Sequence, residues 1–417
     1  MVRKKVVTVR RLWIRVIVTT CILVFGVFSI VVAQHLRPDG LAESEWPMYQ
    51  GAANHNGQSS YTGITTRPIM RWAKQLCGGE LENAAGMVIA PDGLIYVGAC
   101  GGLHAINPET GAVKWIVPGG FSRSTPAINE DGYIYWGYDD TFLAISATGQ
   151  ISWSVSGLSY NYVFGSSPVI APDGSVYFGH DGLWAFDHSG NFQWAHSTWL
   201  YNHNSPALGP DGTIYFSGDW VLNAVDPNGS IKWQKGLGNP VETIPTVGSD
   251  GTIYAGGQAT NTLALYALNP DGTERWIFTG DPLPNSEIDV APSIGPDGTI
   301  YFVTRTTGPV AYLYAVDSNG ILKWKFPVPD TTGLGAWILA PPVIDRDENI
   351  FFCAESGSCY GLDSLGNLLW EYQIEYSSRN RTAPLIVRDG NLLILHNGTL
   401  YSFVASVDSV FLPLIAR

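Results

Sequence analysis

The chain has 417 residues, a formal net charge of −13, 47 glycines, 26 prolines and only 14% charged residues. Because nucleic acids are bound mainly through Lys and Arg, this acidic balance excludes a nucleic-acid partner. The many Gly and Pro residues indicate tight turns, and no segment beyond residue 40 shows sustained 3.6-residue apolar periodicity, so we expect an all-β protein.

The first element along the chain is an export segment, residues 1–33. It carries six basic residues and no acid, and an uncharged run covers residues 16–33. That run is longer than the core of most cleavable signal peptides and just short of a full membrane span. We therefore expect export across the cytoplasmic membrane. Cleavage after Val31-Val32-Ala33 would give a secreted protein, and an uncleaved segment would be an N-terminal transmembrane anchor.

Eight tryptophans mark an internal repeat that follows a lead-in segment, residues 34–66. Their spacings are 43, 38, 41, 39, 43, 48 and 46 residues, and each interval repeats a Pro, an Asp-Gly turn, a Tyr- or Phe-containing strand, an Ala-containing strand and a second Gly turn. This period predicts an eight-bladed β-propeller of four-stranded antiparallel blades. The tryptophans, which we expect to pack between blades as core residues, are Trp72, Trp115, Trp153, Trp194, Trp233, Trp276, Trp324 and Trp370.

The tryptophans and the Asp-Gly turns are out of phase at the two ends of the repeat. The segment 67–76, with Trp72, precedes every Asp-Gly turn, and the last unit, 391–405, ends without a Trp strand. We expect the strand at 67–76 to complete the last blade, because such closure removes an exposed sheet edge. The predicted propeller therefore spans residues 67–405 and is followed by a short tail, 406–417.

The cysteines predict two disulfides outside the apolar run. Cys353 and Cys359 flank five residues typical of a hairpin loop, and Cys77 and Cys100 lie on the two sides of what we expect to be one blade's first hairpin. Pairs of this kind are normally oxidised in exported proteins.

The Asx-rich turns do not indicate a metal site. Segments such as Asp226-Pro227-Asn228-Gly229 superficially resemble calcium loops, but they lack the downstream Glu and recur wherever a blade needs a turn. We predict turns there and no metal.

The repeat resembles a known family. Pro-Val-Ile-Ala-Pro-Asp-Gly-Ser-Val-Tyr-Phe-Gly (168–179) and Leu-Trp-Ala-Phe-Asp-His-Ser-Gly-Asn-Phe-Gln-Trp (183–194) are similar to the pyrrolo-quinoline quinone (PQQ) repeat of the quinoprotein alcohol dehydrogenase-like superfamily, and the resemblance covers residues 46 to about 405. Trp46-Pro47-Met48-Tyr49-Gln50-Gly51 looks like the segment that opens many such propellers.

The resemblance leaves function open, because one fold hosts many activities. The quinoprotein dehydrogenases that carry this repeat usually hold PQQ between a tryptophan floor and a ring of adjacent cysteines, with a calcium ion on acidic and Asn ligands. The resemblance therefore implies such a site only if this chain is a dehydrogenase. This chain has no adjacent cysteine pair. We therefore assign no catalytic residue and expect no cofactor; PQQ and Ca²⁺ belong only to the alternative in which the chain is a quinoprotein dehydrogenase.

The segments between each Trp strand and the next inner strand should approach the central channel, and they are rich in aromatic and polar residues. This mixture suits a protein or carbohydrate ligand, although polar loops with incidental aromatics would look the same. The candidate ligand-binding residues are Arg123, Tyr160, Tyr162, Trp199, Tyr201, His203, Glu242, Glu287, Asp289, Trp337, Tyr376 and Arg379.

The sequence thus favours an exported or membrane-anchored binding or scaffold module without catalysis. The first alternative is a PQQ- and calcium-dependent dehydrogenase whose acidic ligands would come from Glu80, Glu82, Glu242, Glu287 and Asp289. The second is an envelope protein-assembly factor, which the absence of a lipidation cysteine weakens. Membrane contact is expected only through the N-terminal segment.

Overall fold

The computed structural model describes residues 41–42, 44, 46–77, 86–99, 101–158, 165–198, 205–218, 221–238, 243–259, 262–281, 286–331, 336–374 and 382–406. The predicted export segment and the C-terminal tail beyond residue 406 lie outside these residues. Across the described ranges, no helix has the length and apolar character needed to span a bilayer.

The fold is an eight-bladed β-propeller of four-stranded antiparallel sheets, which confirms the predicted architecture. The first four blades, from inner to outer strand, are blade 1, β2 (Met87–Ile89), β3 (Ile95–Ala99), β4 (Gly102–Ile106) and β5 (Val113–Pro118); blade 2, β6 (Ala127–Ile128), β7 (Ile134–Tyr138), β8 (Thr141–Ile145) and β9 (Ile151–Val155); blade 3, β10 (Val169–Ile170), β11 (Val176–Gly179), β12 (Gly182–Phe186) and β13 (Phe192–Ser197); and blade 4, β14 (Ala207–Leu208), β15 (Ile214–Gly218), β16 (Val221–Val225) and β17 (Ile231–Gly236).

The remaining blades repeat this order. They are blade 5, β18 (Thr246–Val247), β19 (Ile253–Ala259), β20 (Thr262–Leu268) and β21 (Glu274–Thr279); blade 6, β22 (Ser293–Ile294), β23 (Ile300–Val303), β25 (Val310–Val316) and β26 (Leu322–Pro329); blade 7, β28 (Val343–Ile344), β29 (Ile350–Cys353), β30 (Ser358–Leu362) and β31 (Leu368–Gln373); and blade 8, β32 (Leu385–Ile386), β33 (Leu392–His396), β34 (Thr399–Ala405) and β1 (Pro68–Gln75). A separate strand pair joins β24 (Arg305–Thr306) to β27 (Ala336–Trp337), and a single 3-10 turn, η1, covers Tyr49–Gly51.

The ring is closed by pairing the first strand with the last. β1 runs antiparallel to β34, from Pro68 opposite Ala405 to Gln75 opposite Thr399, with a bulge between Met70 and Trp72. Blade 8 therefore combines both ends of the propeller, and its outer edge strand comes from the N-terminal side of the chain.

The blades have two distinct ends. At the lower face, as we name it, the first strand joins the second and the third joins the fourth through tight turns, in which Gly takes a left-handed φ such as +82° at Gly174. Glu348 takes this position in blade 7 at φ 66°. The Asp345 carboxylate supports that turn by accepting the Asp347 and Asn349 backbone N–H groups at 2.9 and 2.8 Å. The other connections form the upper face.

Each repeat tryptophan joins its own blade to the next structural unit. Trp194 Nε1 donates to Pro227 O at 2.8 Å, and its indole covers Gly229, where a Cβ atom would lie 2.8 Å from the ring. Six other tryptophans make the same contact with the next blade's turn. Trp370 donates instead to Ile64 O of the lead-in. The expectation that all eight are core residues was wrong, because only Trp370 is fully buried and the others are half-buried on outer strands.

The lead-in fills the lower part of the central channel. In six blades, the backbone N–H of the last inner-strand residue donates to a lead-in carbonyl between residues 46 and 57 at 2.8 to 2.9 Å. The donors are Ile89, Ile128, Leu208, Val247, Ile294 and Ile344. Inner strands of two or three residues thus gain backbone partners that their own blades do not supply.

The disulfides lie at the upper face. Cys353 and Cys359 are bonded across the β29–β30 hairpin, opposite each other in register. Cys77 is also disulfide-bonded, whereas Cys100 lies outside the described residues. Cys77 comes directly after β1, the outer strand of blade 8, and precedes the β2–β3 hairpin of blade 1.

Candidate functional site

A cavity of about 330 Å³ lies on the propeller axis above the lead-in. Its walls come from the residues that precede the inner strands, so every blade borders it. The lining residues are Trp46, Tyr49, Gln50, Gly86, Met87, Arg123, Thr125, Gly165, Ser167, Ser205, Ile244, Asp289, Val290, Arg305, Leu339, Thr382, Ala383, Pro384 and Leu385. We call this cavity the cup.

The floor of the cup is made by the lead-in residues Trp46, Tyr49 and Gln50. Gln50 has a left-handed backbone, φ 51°, and its Nε2 donates to Ser293 Oγ of blade 6 at 3.1 Å. The Tyr49 ring meets the His55 ring edge-on at 5.1 Å between centroids, and burial raises the pKa of the Tyr49 phenol. A strained turn held by a distant blade therefore presents aromatic and amide groups to the cup.

One wall carries an ion-pair cluster centred on Arg305. Its Nε lies 2.8 Å from Asp289 Oδ2, its Nη2 is paired with Glu287, and its guanidinium stands 5.7 Å above the centroid of the Trp337 ring. Trp337 Nε1 in turn donates to Thr306 O at 3.1 Å. The β24–β27 pair places these groups, since Arg305 lies opposite Trp337 in register and Glu287 forms a bridge with Arg305. Together they form a planar cation held between carboxylates and an indole.

The opposite wall carries hydroxyl groups that link neighbouring blades. The backbone N–H of Thr125 in blade 2 donates to Ser167 Oγ at 3.0 Å, and the N–H of Ser167 donates to Ser205 Oγ at 2.9 Å. All three residues line the cup. This side offers hydroxyl groups, whereas the side at Arg305 offers charge.

Four of the predicted ligand-binding residues lie in the described part of the chain. Arg123 and Asp289 line the cup, and Glu287 and Trp337 hold Arg305 beside it. The other predicted residues lie outside the described ranges: Tyr160, Tyr162, Trp199, Tyr201, His203, Glu242, Tyr376 and Arg379.

Sequence reasoning missed Arg305 and the three floor residues. The Trp46 to Gly51 opening motif was a signal for the floor, but its contacts with blades more than 240 residues away depend on the closed ring. Arg305 lies between the second and third strands of blade 6, whereas the predicted residues lie between an outer strand and the next inner strand.

Of the five acidic residues that the dehydrogenase alternative would use as calcium ligands, Glu80, Glu82 and Glu242 lie outside the described ranges. Asp289 on the cup wall and Glu287 beside the cup are both paired with Arg305, so a metal ion bound by these two would have to displace a guanidinium. Within the described ranges, no group of three His, Cys, Asp or Glu side chains is arranged to hold a metal. The Cys353–Cys359 disulfide lies within one hairpin of blade 7, and neither cysteine lines the cup.

A larger groove of about 590 Å³ lies at the lower face between blades 8 and 1. It is lined mainly by turn residues, including Asp92, Glu109 and Asp389, with Tyr61 of the lead-in. It lies where blade 8 has two chain ends instead of a turn, and its walls are the same turns that recur around the ring. The cup, by contrast, is built from residues that differ from blade to blade.

The chain is similar in structure to several solved propellers. A europium-containing methanol dehydrogenase gives a TM-score of 0.66 at 12% identity, covering 88% of this chain and 91% of that one. The quinohemoprotein alcohol dehydrogenase ADHIIG from Pseudomonas putida HK5 gives 0.65 at 14%, covering 88% and 81%. BamB from Moraxella catarrhalis gives 0.59 at 14%, covering 81% and 99%. At these identities the likeness shows the fold alone.

No curated protein sequence matches the chain. A family model described as "Outer membrane protein assembly factor BamB" matches residues 69–209 and 217–409, which include strands from all eight blades. With the eight repeat tryptophans and the closed ring, this match shows that the chain belongs to that family of PQQ-like β-propellers.

Proposed function

We propose that the chain is an exported, non-catalytic binding module that receives a segment of a partner protein in the cup. The observation that carries this proposal is the Arg305 cluster on the cup wall, where a guanidinium, two carboxylates and an indole are held in place by a strand pair found in blade 6. Pre-positioned polar groups beside apolar lining are typical of a recognition site.

The charge of the upper face indicates the kind of segment. The described connections of that face carry two arginines, Arg123 and Arg305, against eight carboxylates: Asp139, Asp140, Asp181, Asp281, Glu287, Asp289, Asp330 and Glu355. Opposite charge speeds encounter and selects partners. We therefore expect a segment containing Lys or Arg, bound more weakly as salt is raised.

The two alternatives differ in what supports them. A quinoprotein dehydrogenase needs acidic ligands for a cation, and the carboxylates of the cup are already paired with Arg305. An envelope assembly factor is a special case of protein binding, and the name of the matched family favours it over catalysis. The proposal therefore includes assembly as one possible use of the cup.

The first test is selection of peptides from a displayed library on the folded full-length chain, followed by calorimetric titration of a selected basic peptide. Asp289→Asn should weaken binding of the basic peptide at least tenfold, because the variant removes a carboxylate from the cup wall. Asp250→Asn is the matched control, because Asp250 also pairs with an arginine, Arg275 at 2.9 Å, but lies in a lower turn away from the cup. Equal affinities for both variants would contradict the proposal.

The second test addresses catalysis and sugars directly. The protein is incubated with PQQ and Ca²⁺ and assayed for dye-linked oxidation of alcohols and sugars, and oligosaccharides are tested as competitors of the peptide. We expect neither turnover nor competition. Turnover that follows the PQQ concentration would establish the dehydrogenase alternative, and competition by an oligosaccharide would make the ligand a carbohydrate.

A further inference from the structure

The cup is closed at its lower end. Its floor residues Trp46 and Gln50 are buried, and the lead-in fills the channel below them. A chain that enters the cup must therefore leave through the same mouth. The volume of about 330 Å³ is near the lower end of the range for ligand pockets, roughly 300 to 1,000 Å³. Such a cavity suits the end of a chain better than a loop that passes in and out.

Three hydroxyl groups on one wall have protons left to donate. Ser167 Oγ and Ser205 Oγ each accept a backbone N–H group from the preceding blade, at 3.0 and 2.9 Å, and neither hydroxyl donates to a described residue. Thr125 Oγ1 likewise has no hydrogen-bond partner within the described ranges. All three residues line the cup and are at most 3% exposed. Because each hydroxyl carries one proton to donate, this hydroxyl wall lacks the acceptors that a ligand would supply.

The charges around the cup favour the same arrangement. Arg123 lies on the hydroxyl wall, two residues before Thr125, and both line the cup. At the wall opposite, the single positive charge of Arg305 is paired with two negative charges, those of Glu287 and Asp289. An anionic group is therefore favoured beside the hydroxyl wall, and a cationic side chain is favoured beside the Arg305 cluster.

The floor supplies an acceptor for the ligand. Ser293 Oγ donates to Pro342 O at 2.6 Å, so it accepts from Gln50 Nε2. Gln50 Nε2 also faces Ala291 O at 3.4 Å. These contacts fix the orientation of the amide and leave Gln50 Oε1 as a buried acceptor without a partner among the described residues. An unpaired buried acceptor is costly, and a ligand N–H group at the floor would remove that cost.

We propose that the cup takes the free C-terminus of the partner protein. The terminal carboxylate accepts hydrogen bonds from the hydroxyl wall, and the backbone N–H of the last residue donates to Gln50 Oε1. A Lys or Arg side chain near the terminus reaches the Arg305 cluster. Hydrogen bonds to a carboxylate are stronger than those to a neutral carbonyl, and capture of chain ends is a recurring mode of peptide recognition. This inference rests on the proposed function and specifies which part of the partner enters the cup.

The test uses two synthetic libraries of N-acetylated pentapeptides, each peptide containing one Lys or Arg. The libraries differ only at the C-terminus, which is a free carboxylate in one and an amide in the other. Peptides bound by the folded full-length chain are identified by mass spectrometry, and matched pairs are titrated by calorimetry. We expect each free acid to bind at least about tenfold more tightly than its amide. Attraction by the acidic upper face alone would give the opposite order, because the amide carries one more net positive charge.

A pair of serine variants locates the carboxylate. Ser167→Ala should reduce the preference for the free acid at least about threefold, because it removes a donor from the hydroxyl wall. Ser166→Ala is the matched control and should leave the preference unchanged. Ser166 Oγ also accepts a backbone N–H group, from Gly179 at 2.8 Å, but Ser166 does not line the cup. Thermal melting shows whether both variants fold, and the comparison of acid with amide on the unmodified chain decides the question without them.

Equal affinity for acid and amide, or tighter binding of the amide, would overturn this inference and leave peptide binding by the cup intact. A loss of preference in Ser166→Ala but not in Ser167→Ala would also overturn it, because the carboxylate would then lie elsewhere. Failure of both libraries to bind would contradict the proposed function as well.

Discussion

The two faces of the propeller are built by different means. At the lower face, nearly every connection is a repeat of the same Asp-Gly or Asx-Gly turn, and the lead-in bonds six inner strands through their backbone N–H groups. At the upper face, connections differ in length and composition, and one carries the β24–β27 pair with Arg305. The repeated turns maintain the ring, whereas the connections that differ from the repeat build the cup. Each change below should therefore affect one face more than the other.

The largest effect is expected from deleting residues 67–76. The deletion removes β1, leaves β34 as an unpaired edge and takes away Trp72, whose Nε1 donates to Pro108 O of blade 1 at 3.1 Å. We expect loss of cooperative unfolding in calorimetry. Deletion of residues 1–33 is the control and should leave the melting temperature unchanged. Equal melting of both truncations would contradict closure by β1.

The next effect separates Trp370 from the other repeat tryptophans. Trp370 is 4% exposed and donates to Ile64 O, so Trp370→Ala should cost about 3–5 kcal/mol, as for a buried aromatic residue. Trp233 makes the equivalent contact with Pro270 O but is half-buried, so Trp233→Ala should cost about half as much. Chemical denaturation of both variants gives the comparison. Similar losses would show that exposure does not distinguish them.

A smaller effect should follow pH through His55 in the lead-in. Burial lowers the pKa of His55 to about 4 from 6.5, and its Nδ1 lies 3.1 Å from Pro245 O. As pH falls, the unfolded state takes up a proton on His55 before the folded state does. The contribution of neutral His55 to the free energy of unfolding is therefore fully present above pH 6.5 and is lost as pH falls toward 4, by up to roughly 3 kcal/mol.

The control for this pH effect is His55→Asn. Asn accepts the left-handed φ of 60° at this position and does not titrate. The variant should lose much less stability than the wild type between pH 6.5 and 4 when the free energy of unfolding is measured by denaturant titration. An identical pH profile for the two proteins would rule out His55 as the source.

The smallest effect on stability is expected at the cup. Trp337 is half-buried beside Arg305, and its indole donates a single hydrogen bond to Thr306 O. Trp337→Ala should lower the free energy of unfolding by about 1 kcal/mol while weakening peptide binding, because aromatic residues at binding sites often dominate affinity. We expect the same pattern for Trp199, Tyr201 and Tyr376. A loss of stability as large as that of Trp370→Ala would assign Trp337 to the fold instead.

The repeated part of the fold could be predicted from sequence because each signal is local. The spacing of the tryptophans predicts eight blades, and the displaced Trp72 predicts the pairing of β1 with β34. The burial of the tryptophans could not be obtained in this way, because an outer strand leaves one side of each indole in solvent.

The cup could be predicted only in part. Asp289 and Arg123 follow from their place before inner strands. The contact of Gln50 with Ser293 joins residues 243 positions apart, and the Arg305 cluster depends on an added strand pair. Neither has a local pattern in the sequence.

The central claim is that the upper face binds the partner segment, whereas the lower face stabilises the ring. Hydrogen–deuterium exchange with and without a selected peptide tests this claim most directly. We predict new protection in segments 122–125, 286–290, 304–306 and 336–339, and no change in the lower turns at 91–94, 130–133 and 172–175. Protection of those lower turns, with none around Arg305, would contradict the account.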